Sequence, residues 1–356
     1  MKTKDLKKAL RKKKKEEKLS FLSTGSTLLN LACTGKPYCG FAKGRYYFIV
    51  GDSASGKTFL SLTCLAEASI NSNFDNYRFI YDNSEGGAMM DIKRFFGKRV
   101  WKRMEAPSSN KGEDVFSSTI EEFYYHIDDA LHYGKPFIYI LDSMDSLSSQ
   151  SEADKFEEHK TAYRKGKSAA GSYTDGKAKI NSANLRRIIS SLKKEGQSIL
   201  IIINQTRDNI GFGFERKSRS GGHALRFYAT IELWSSVRRR VSKTVKGKKR
   251  QLGIECLIEI KKNRITGRER KLTIPIYHSF GIDDIGSCIN YLTEEGHWKT
   301  QGNKIIVPEF EFRGSKERLI RYVDEYEMER DLRDMVGDVW NEIEESCRVK
   351  RKRRYE

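Results

Sequence analysis

The chain has 356 residues, 38% of them hydrophobic and 11% aromatic, which is enough for one large core with an appendage or for two domains and excludes wholesale disorder. Lys and Arg outnumber Asp and Glu by 67 to 48, a formal charge of +19 that draws the chain toward polyanions. No apolar run approaches the roughly 18 residues of a membrane span, and the first twenty residues are lysine-rich without the apolar stretch of a secretory signal, so a cytoplasmic protein is expected.

Residues 1–18 carry ten bases and three acids in strong helix formers with almost no apolar face, which suits a frayed helix or arm better than a core element. From Arg45 the text changes. Tyr46–Val50 is a short β-rich apolar run, followed by a glycine-punctuated turn and a helical run from Thr58 to Ile70. Similar apolar runs recur at Tyr77–Tyr81, Phe137–Leu141 and Ile199–Ile203, each beside amphipathic helical text. Continuous apolar strands alternating with helices predict a parallel sheet covered on both faces. Asp142 to Ile180 is polar, contains Gly166, Gly171 and Gly176, and lacks apolar periodicity, so it reads as a long loop, functional or disordered. After Gly222 the pattern gives alternating strands with a basic hairpin tip at Lys246–Lys249, and Arg238–Arg250 holds eight bases and no acid. A small mixed segment spans Asp283–Leu319, and Glu317–Arg348 reads as one or two charged helices. The last nine residues add six bases and one acid.

A single charge run is ordinarily a solvated face, but several of one sign on a basic chain favour nucleic acid over a membrane or an acidic protein. The six cysteines are scattered with no CxxC pair, which fits reduced thiols rather than a metal site.

Gly51-Asp52-Ser53-Ala54-Ser55-Gly56-Lys57-Thr58 fits GxxxxGK[ST], directly after a predicted strand and before a predicted helix. Its backbone N–H groups would face phosphates, Lys57 would reach the β and γ phosphates, and the Thr58 hydroxyl would ligate magnesium. An NTPase also needs a carboxylate near the magnesium and a group that activates water. Asp142, at the end of the buried run Phe137–Leu141, supplies the first. Glu85, following the run Tyr77–Tyr81, is the candidate general base, with Asp82 its near competitor. Asn204-Gln205 places an amide at the same sheet edge, able to sense a γ phosphate.

Leu22–Gly35 (LSTGSTLLNLACTG), the phosphate loop, Ile140–Leu147 (ILDSMDSL), Ile201–Phe214 (IIINQTRDNIGFGF), Ser220–Thr230 (SGGHALRFYAT) and Ile260–Arg264 (IKKNR) occur in the order and spacing of RecA-type recombinases. The chain resembles that family from about Leu22 to the mid-300s. Gly296–Ile305 (GHWKTQGNKI) and the terminal helix extend the resemblance toward bacterial RecA and its phage-encoded relatives.

The resemblance implies an α/β fold: a RecA-like P-loop NTPase core, with a mostly parallel sheet flanked by helices. The expected organisation is a basic polymerisation arm at 1–20, the ATPase core at 21–282, a small C-terminal α/β module at 283–348 and a basic tail at 349–356. It implies ATP and Mg²⁺ as cofactors, with Lys57 and Thr58 binding ATP and magnesium, Asp142 supporting the metal, Glu85 activating water and Gln205 coupling ATP to DNA. Lys262 and Arg264 match two basic residues that reach a neighbouring subunit's ATP, so each active site would be shared between subunits of a helical homo-oligomer.

Two DNA-binding segments are expected, near 148–179 and 206–221. Lys179, Ser182, Arg186, Arg207, Gly221 and Gly222 match contacts to single-stranded DNA, and Ile210 matches an apolar wedge between base triplets. The implied function is a DNA-dependent ATPase that filaments on single-stranded DNA, pairs it with homologous duplex and exchanges strands, in a nucleoid-associated setting. The alternatives are a ring-forming helicase or branch-migration motor of the same fold, and a recombination mediator paralogue.

Several features depart from the family. The first DNA segment is longer and more basic, the acid motif Asp82-Asn83-Ser84-Glu85 is one residue longer, and the residues after Glu85 do not reproduce the adenine-stacking pattern. Asn209 and His223 stand at DNA-proximal positions where other residues are expected, and the C-terminus is basic where bacterial RecA is acidic.

Overall fold

A computed structural model describes residues 21–86, 90–165, 176–208, 217–219 and 222–351. The arm at 1–20 and the end of the basic tail, from residue 352, lie outside the described residues.

Among the described residues the central sheet has ten strands, nine of them in the spatial order Gly281–Ile282, Arg270–Tyr277, Lys248–Asn263, Ile231–Val245, Arg45–Gly51, Ile199–Asp208, Phe137–Leu141, Arg78–Asp82 and Met104–Glu105. From Ile231–Val245 to Met104–Glu105 all neighbours are parallel, and from Ile231–Val245 outward to Gly281–Ile282 all are antiparallel. The tenth strand, Lys217–Arg219, pairs back on the end of Ile199–Asp208.

Alternation along each strand builds a two-faced core. Tyr47, Ile49, Ile201, Ile203 and Ile140 face a cluster with Leu62 and Leu65 of the helix Lys57–Ser69. Tyr46, Phe48, Val50, Ile202 and Leu141 face the opposite cluster, with Ile127 of the helix Ile120–His132 and Leu185, Ile188 and Leu192 of the helix Lys177–Glu195. A third cluster gathers Cys288, Ile289, Leu292, Trp298, Leu319, Val323, Leu332 and Val336. Leu28 and Leu31 of the helix Thr27–Thr34 belong to this third cluster too. Asp284 ties the parts together, accepting hydrogen bonds from Thr27 N and Oγ1 at 2.7 Å each and pairing with Arg333 at 3.1 Å.

One expectation is corrected. The stretch Asp142–Ile180 is not loop throughout: Gln150–Arg164 is an α-helix, and the helix Lys177–Glu195 starts before the stretch ends. No residue of Gln150–Arg164 is buried, which explains the missing apolar periodicity. Its start is fixed by a capping box between Ser149 and Glu152. The C-terminal charged text forms two helices, Lys316–Glu325 and Glu329–Ser346.

Candidate functional site

The phosphate loop leaves the carboxyl end of the central strand Arg45–Gly51 and enters the helix Lys57–Ser69, so its amides and the helix N-terminus converge at one sheet edge. Gly56 has φ +88°, and a Cβ there would meet Ile276 Cδ1 at 2.8 Å and Cys256 Sγ at 2.9 Å, so both the turn and the close approach require glycine. The loop is held from below at the Ser55 carbonyl, which accepts from Ser235 Oγ at 2.5 Å and Cys256 Sγ at 3.0 Å. Lys57 is buried and donates to the carbonyls of Gly51 and Asp52 at 2.9 and 2.6 Å. Burial lowers its pKa below the ordinary lysine value, opposed by Asp142, Glu85 and Asp52.

Thr58 Oγ1 donates to Asp142 Oδ2 at 2.7 Å, and Tyr81 donates to the same oxygen at 3.0 Å. Burial raises the Asp142 pKa, while the hydrogen bonds from Thr58 and Tyr81 oppose the rise. One hydroxyl and one carboxylate side by side are hard oxygen donors of the kind magnesium takes with substrate phosphates. Among the described residues no group of three or more His, Cys, Asp or Glu forms a dedicated metal cage.

Glu85 lies beside this pair: its amide donates to the Asp142 carbonyl at 3.0 Å, and its carboxylate accepts from Gln205 Nε2 at 2.9 Å and Ser143 Oγ at 3.3 Å. Asp82, the competing acid, is fully buried and accepts from Tyr139, Ser117 Oγ and Ser117 N at 2.6 to 2.9 Å. That carboxylate is committed to internal hydrogen bonds.

Three participants escape a reading of the sequence alone. Tyr81 positions Asp142. Asp145, three residues beyond Asp142, accepts from the Gln205 amide at 2.6 Å. Phe59, directly after Thr58, borders a cavity of about 580 Å³ with Phe95, Phe96, Tyr277 and Phe280 on its wall.

Lys262 and Arg264 stand at the other end of the sheet. Lys262 is opposite Glu232 at the start of the strand Ile231–Val245, whereas the phosphate loop adjoins Ser235 farther along. Lys262 Nζ donates to the carbonyls of Arg226 and Phe227 at 2.6 and 2.7 Å, and Arg264 to that of Phe227 at 2.5 Å. Phe227 is 63% exposed above both cations. Burial and the neighbouring Arg264 lower the Lys262 pKa to about 8.

Of the expected DNA contacts, Lys179, Ser182 and Arg186 lie at i, i+3 and i+7 on one helix, hence on one face. Lys179 and Arg186 are exposed, and Arg186 Nε donates to Tyr228 at 3.1 Å. Gly222 has φ +84°, and a Cβ there would come within 2.7 Å of Ala178 Cβ, so the residue that follows the second segment packs on the same helix. The Arg207 backbone pairs with Ser218. Ile210, Gly221 and Asn209 lie outside the described residues, as do 166–175 of the first segment.

These features define a class: a RecA-like core with a phosphate loop at the carboxyl edge of a mostly parallel sheet. A family profile described as the RecA N-terminal domain matches residues 161–283. Curated proteins called Protein RecA are similar along most of the chain. That of Chlorobaculum parvum is 26% identical over 327 residues, covering 89% of this chain and 82% of its own. That of Streptococcus gordonii is 24% identical over 303 residues, covering 82% and 70%. That of Cytophaga hutchinsonii is 27% identical over 289 residues, covering 77% and 69%. Together with the fold, these matches support the RecA-type recombinase family for this chain. No helix among the described residues is long and apolar enough to cross a membrane.

Proposed function

We propose that the protein is an ATP-dependent recombinase that assembles as a helical filament on single-stranded DNA, pairs it with homologous duplex and exchanges strands, with DNA-stimulated ATP hydrolysis. The observation that carries this reading is the Gln205–Glu85 hydrogen bond. It joins the candidate base to the strand Ile199–Asp208, whose far end enters the second expected DNA segment.

In this scheme residues 51–58 would hold the triphosphate, Lys57 would face its β and γ phosphates, and Thr58 and Asp142 would hold the magnesium. The bound ion would draw negative charge from the phosphate oxygens. Glu85 accepts a proton from the attacking water, and Gln205 fixes the orientation of that carboxylate. The aromatic cavity beside Phe59 takes the nucleotide base.

Lys262 and Arg264, at the opposite sheet end, serve the nucleotide of the adjacent subunit. A head-to-tail contact of this kind propagates into an open helix. Lys179, Ser182, Arg186 and Gly222 clamp phosphates on one face, with Arg207, Ile210 and Gly221 completing the contacts. Base pairing then supplies sequence specificity while the protein supplies charge and spacing.

Negative-stain microscopy with a long single strand and a non-hydrolysable ATP analogue tests the reading. Helical filaments should form only with nucleotide and be lost in Lys57→Ala. Closed rings, or particles indifferent to nucleotide, would contradict it.

A further inference from the structure

In the parallel pair formed by Arg45–Gly51 and Ile199–Asp208, Val50 lies opposite Asn204 and Gly51 opposite Gln205. The next residue on each strand is where the two chains part. Asp52 turns into the phosphate loop, and Thr206 continues into the ribbon with Lys217–Arg219, where it is paired with Arg219. Across that fork Thr206 Oγ1 donates to Asp52 Oδ1 at 2.5 Å, with both residues partly buried.

The contact is not an isolated surface pair. One residue earlier, the Gln205 amide is fixed by Asp145 and its side chain by Glu85. On the loop side, the Asp52 carbonyl accepts from Lys57, the residue that faces the phosphates. A carboxylate within a loop built for anions costs electrostatic energy unless it is turned aside and partnered. The Thr206 hydroxyl does both, since a hydrogen bond to a charged acceptor is among the stronger neutral-donor contacts a protein makes.

We propose that Asp52 and Thr206 form a latch that transmits the position of the phosphate loop to the base of the Ile199–Asp208/Lys217–Arg219 ribbon, in parallel with Gln205. Thr206 is a positioning residue: it acts through Asp52 on the loop and through the backbone on the ribbon. The consequence for DNA rests on the reading of 206–221 as a DNA-binding segment. Loop and ribbon are biased together, so nucleotide and single-stranded DNA tighten one another reciprocally.

The test compares the affinity of a fluorescent ATP analogue with and without a thymidine oligonucleotide, in the full chain. Thr206→Val, close in shape and without the hydroxyl, should weaken DNA-free nucleotide binding by a few fold, because Asp52 loses the partner that turns it aside, and should in addition lose about tenfold of the tightening caused by DNA. Thr206→Ser, which restores the donor, should recover that tightening. A merely structural role would shift the DNA-free affinity or the melting temperature alone, and the ratio of affinities with and without DNA would stay that of the parent. If the parent shows DNA-dependent tightening and Thr206→Val shows the same, the latch is overturned while the recombinase reading stands. If the parent shows no tightening, both the latch and the DNA-binding reading of 206–221 are lost.

Discussion

At the carboxyl end of the parallel strands, Thr58, Asp142, Glu85 and Gln205 are linked by hydrogen bonds, and Lys57 holds the loop carbonyls of Gly51 and Asp52. At the other end, Lys262 and Arg264 hold the backbone carbonyls of Arg226 and Phe227, beneath an aromatic ring open to solvent. The first region has hydroxyl, carboxylate and amide groups set against one another, as the proposed phosphate chemistry requires. The second has charge and an apolar tip facing outward, which suits a surface that works on something outside its own chain. On the proposed reading, the difference separates a site that binds nucleotide within one subunit from a contribution that matters only between subunits.

That division can be broken most forcefully at Glu85. Glu85→Gln should lower DNA-stimulated phosphate release by about a hundredfold or more, the usual scale for a lost general base, while nucleotide binding changes little. Equal losses in binding and turnover would place Glu85 among the binding groups instead.

The next effect belongs to Lys262 and is read as a pH dependence. Its pKa is lowered to about 8 in the single chain, and a neighbour's phosphates would raise it. Assembly would then take up a proton. Its free energy is complete below pH 8 and should weaken by up to about tenfold per pH unit above it. Lys262→Arg, charged throughout this range, should flatten the dependence in light-scattering assays of assembly, and an unchanged slope would detach Lys262 from the interface.

The smallest effect is expected outside both regions, at the basic hairpin tip. The strands Ile231–Val245 and Lys248–Asn263 project this tip with Val245 opposite Lys248. Reversing the charge of Lys248 and Lys249 should weaken duplex capture and reduce its salt slope by about two, sparing single-strand binding. Equal loss of both would remove the hairpin's separate role.

The strands of the parallel half were legible because both sheet faces are covered: Phe137–Leu141 is apolar at every position and buried at every position. The phosphate loop was legible because glycine and lysine spacing carries its geometry into the text. The helix Gln150–Arg164 was not, since a helix that buries no residue leaves no period, and only the Ser149 and Glu152 capping pair signals it. The Glu85–Gln205 contact spans 120 residues and depends on which strands become neighbours. Asp52 and Thr206 become partners only once the register of Gly51 with Gln205 is known. Sequence patterns mark chemistry carried by consecutive residues, and strand order decides the rest.

The claim that each active site is completed by the neighbouring subunit is tested most directly by mixing two inactive proteins. One carries Glu85→Gln and the other Lys262→Ala with Arg264→Ala, and each alone should hydrolyse ATP poorly on single-stranded DNA. In a one-to-one mixture, random head-to-tail assembly should pair the intact halves at about a quarter of the junctions and restore about that share of wild-type turnover. A mixture no more active than the sum of its parts would contradict a shared site.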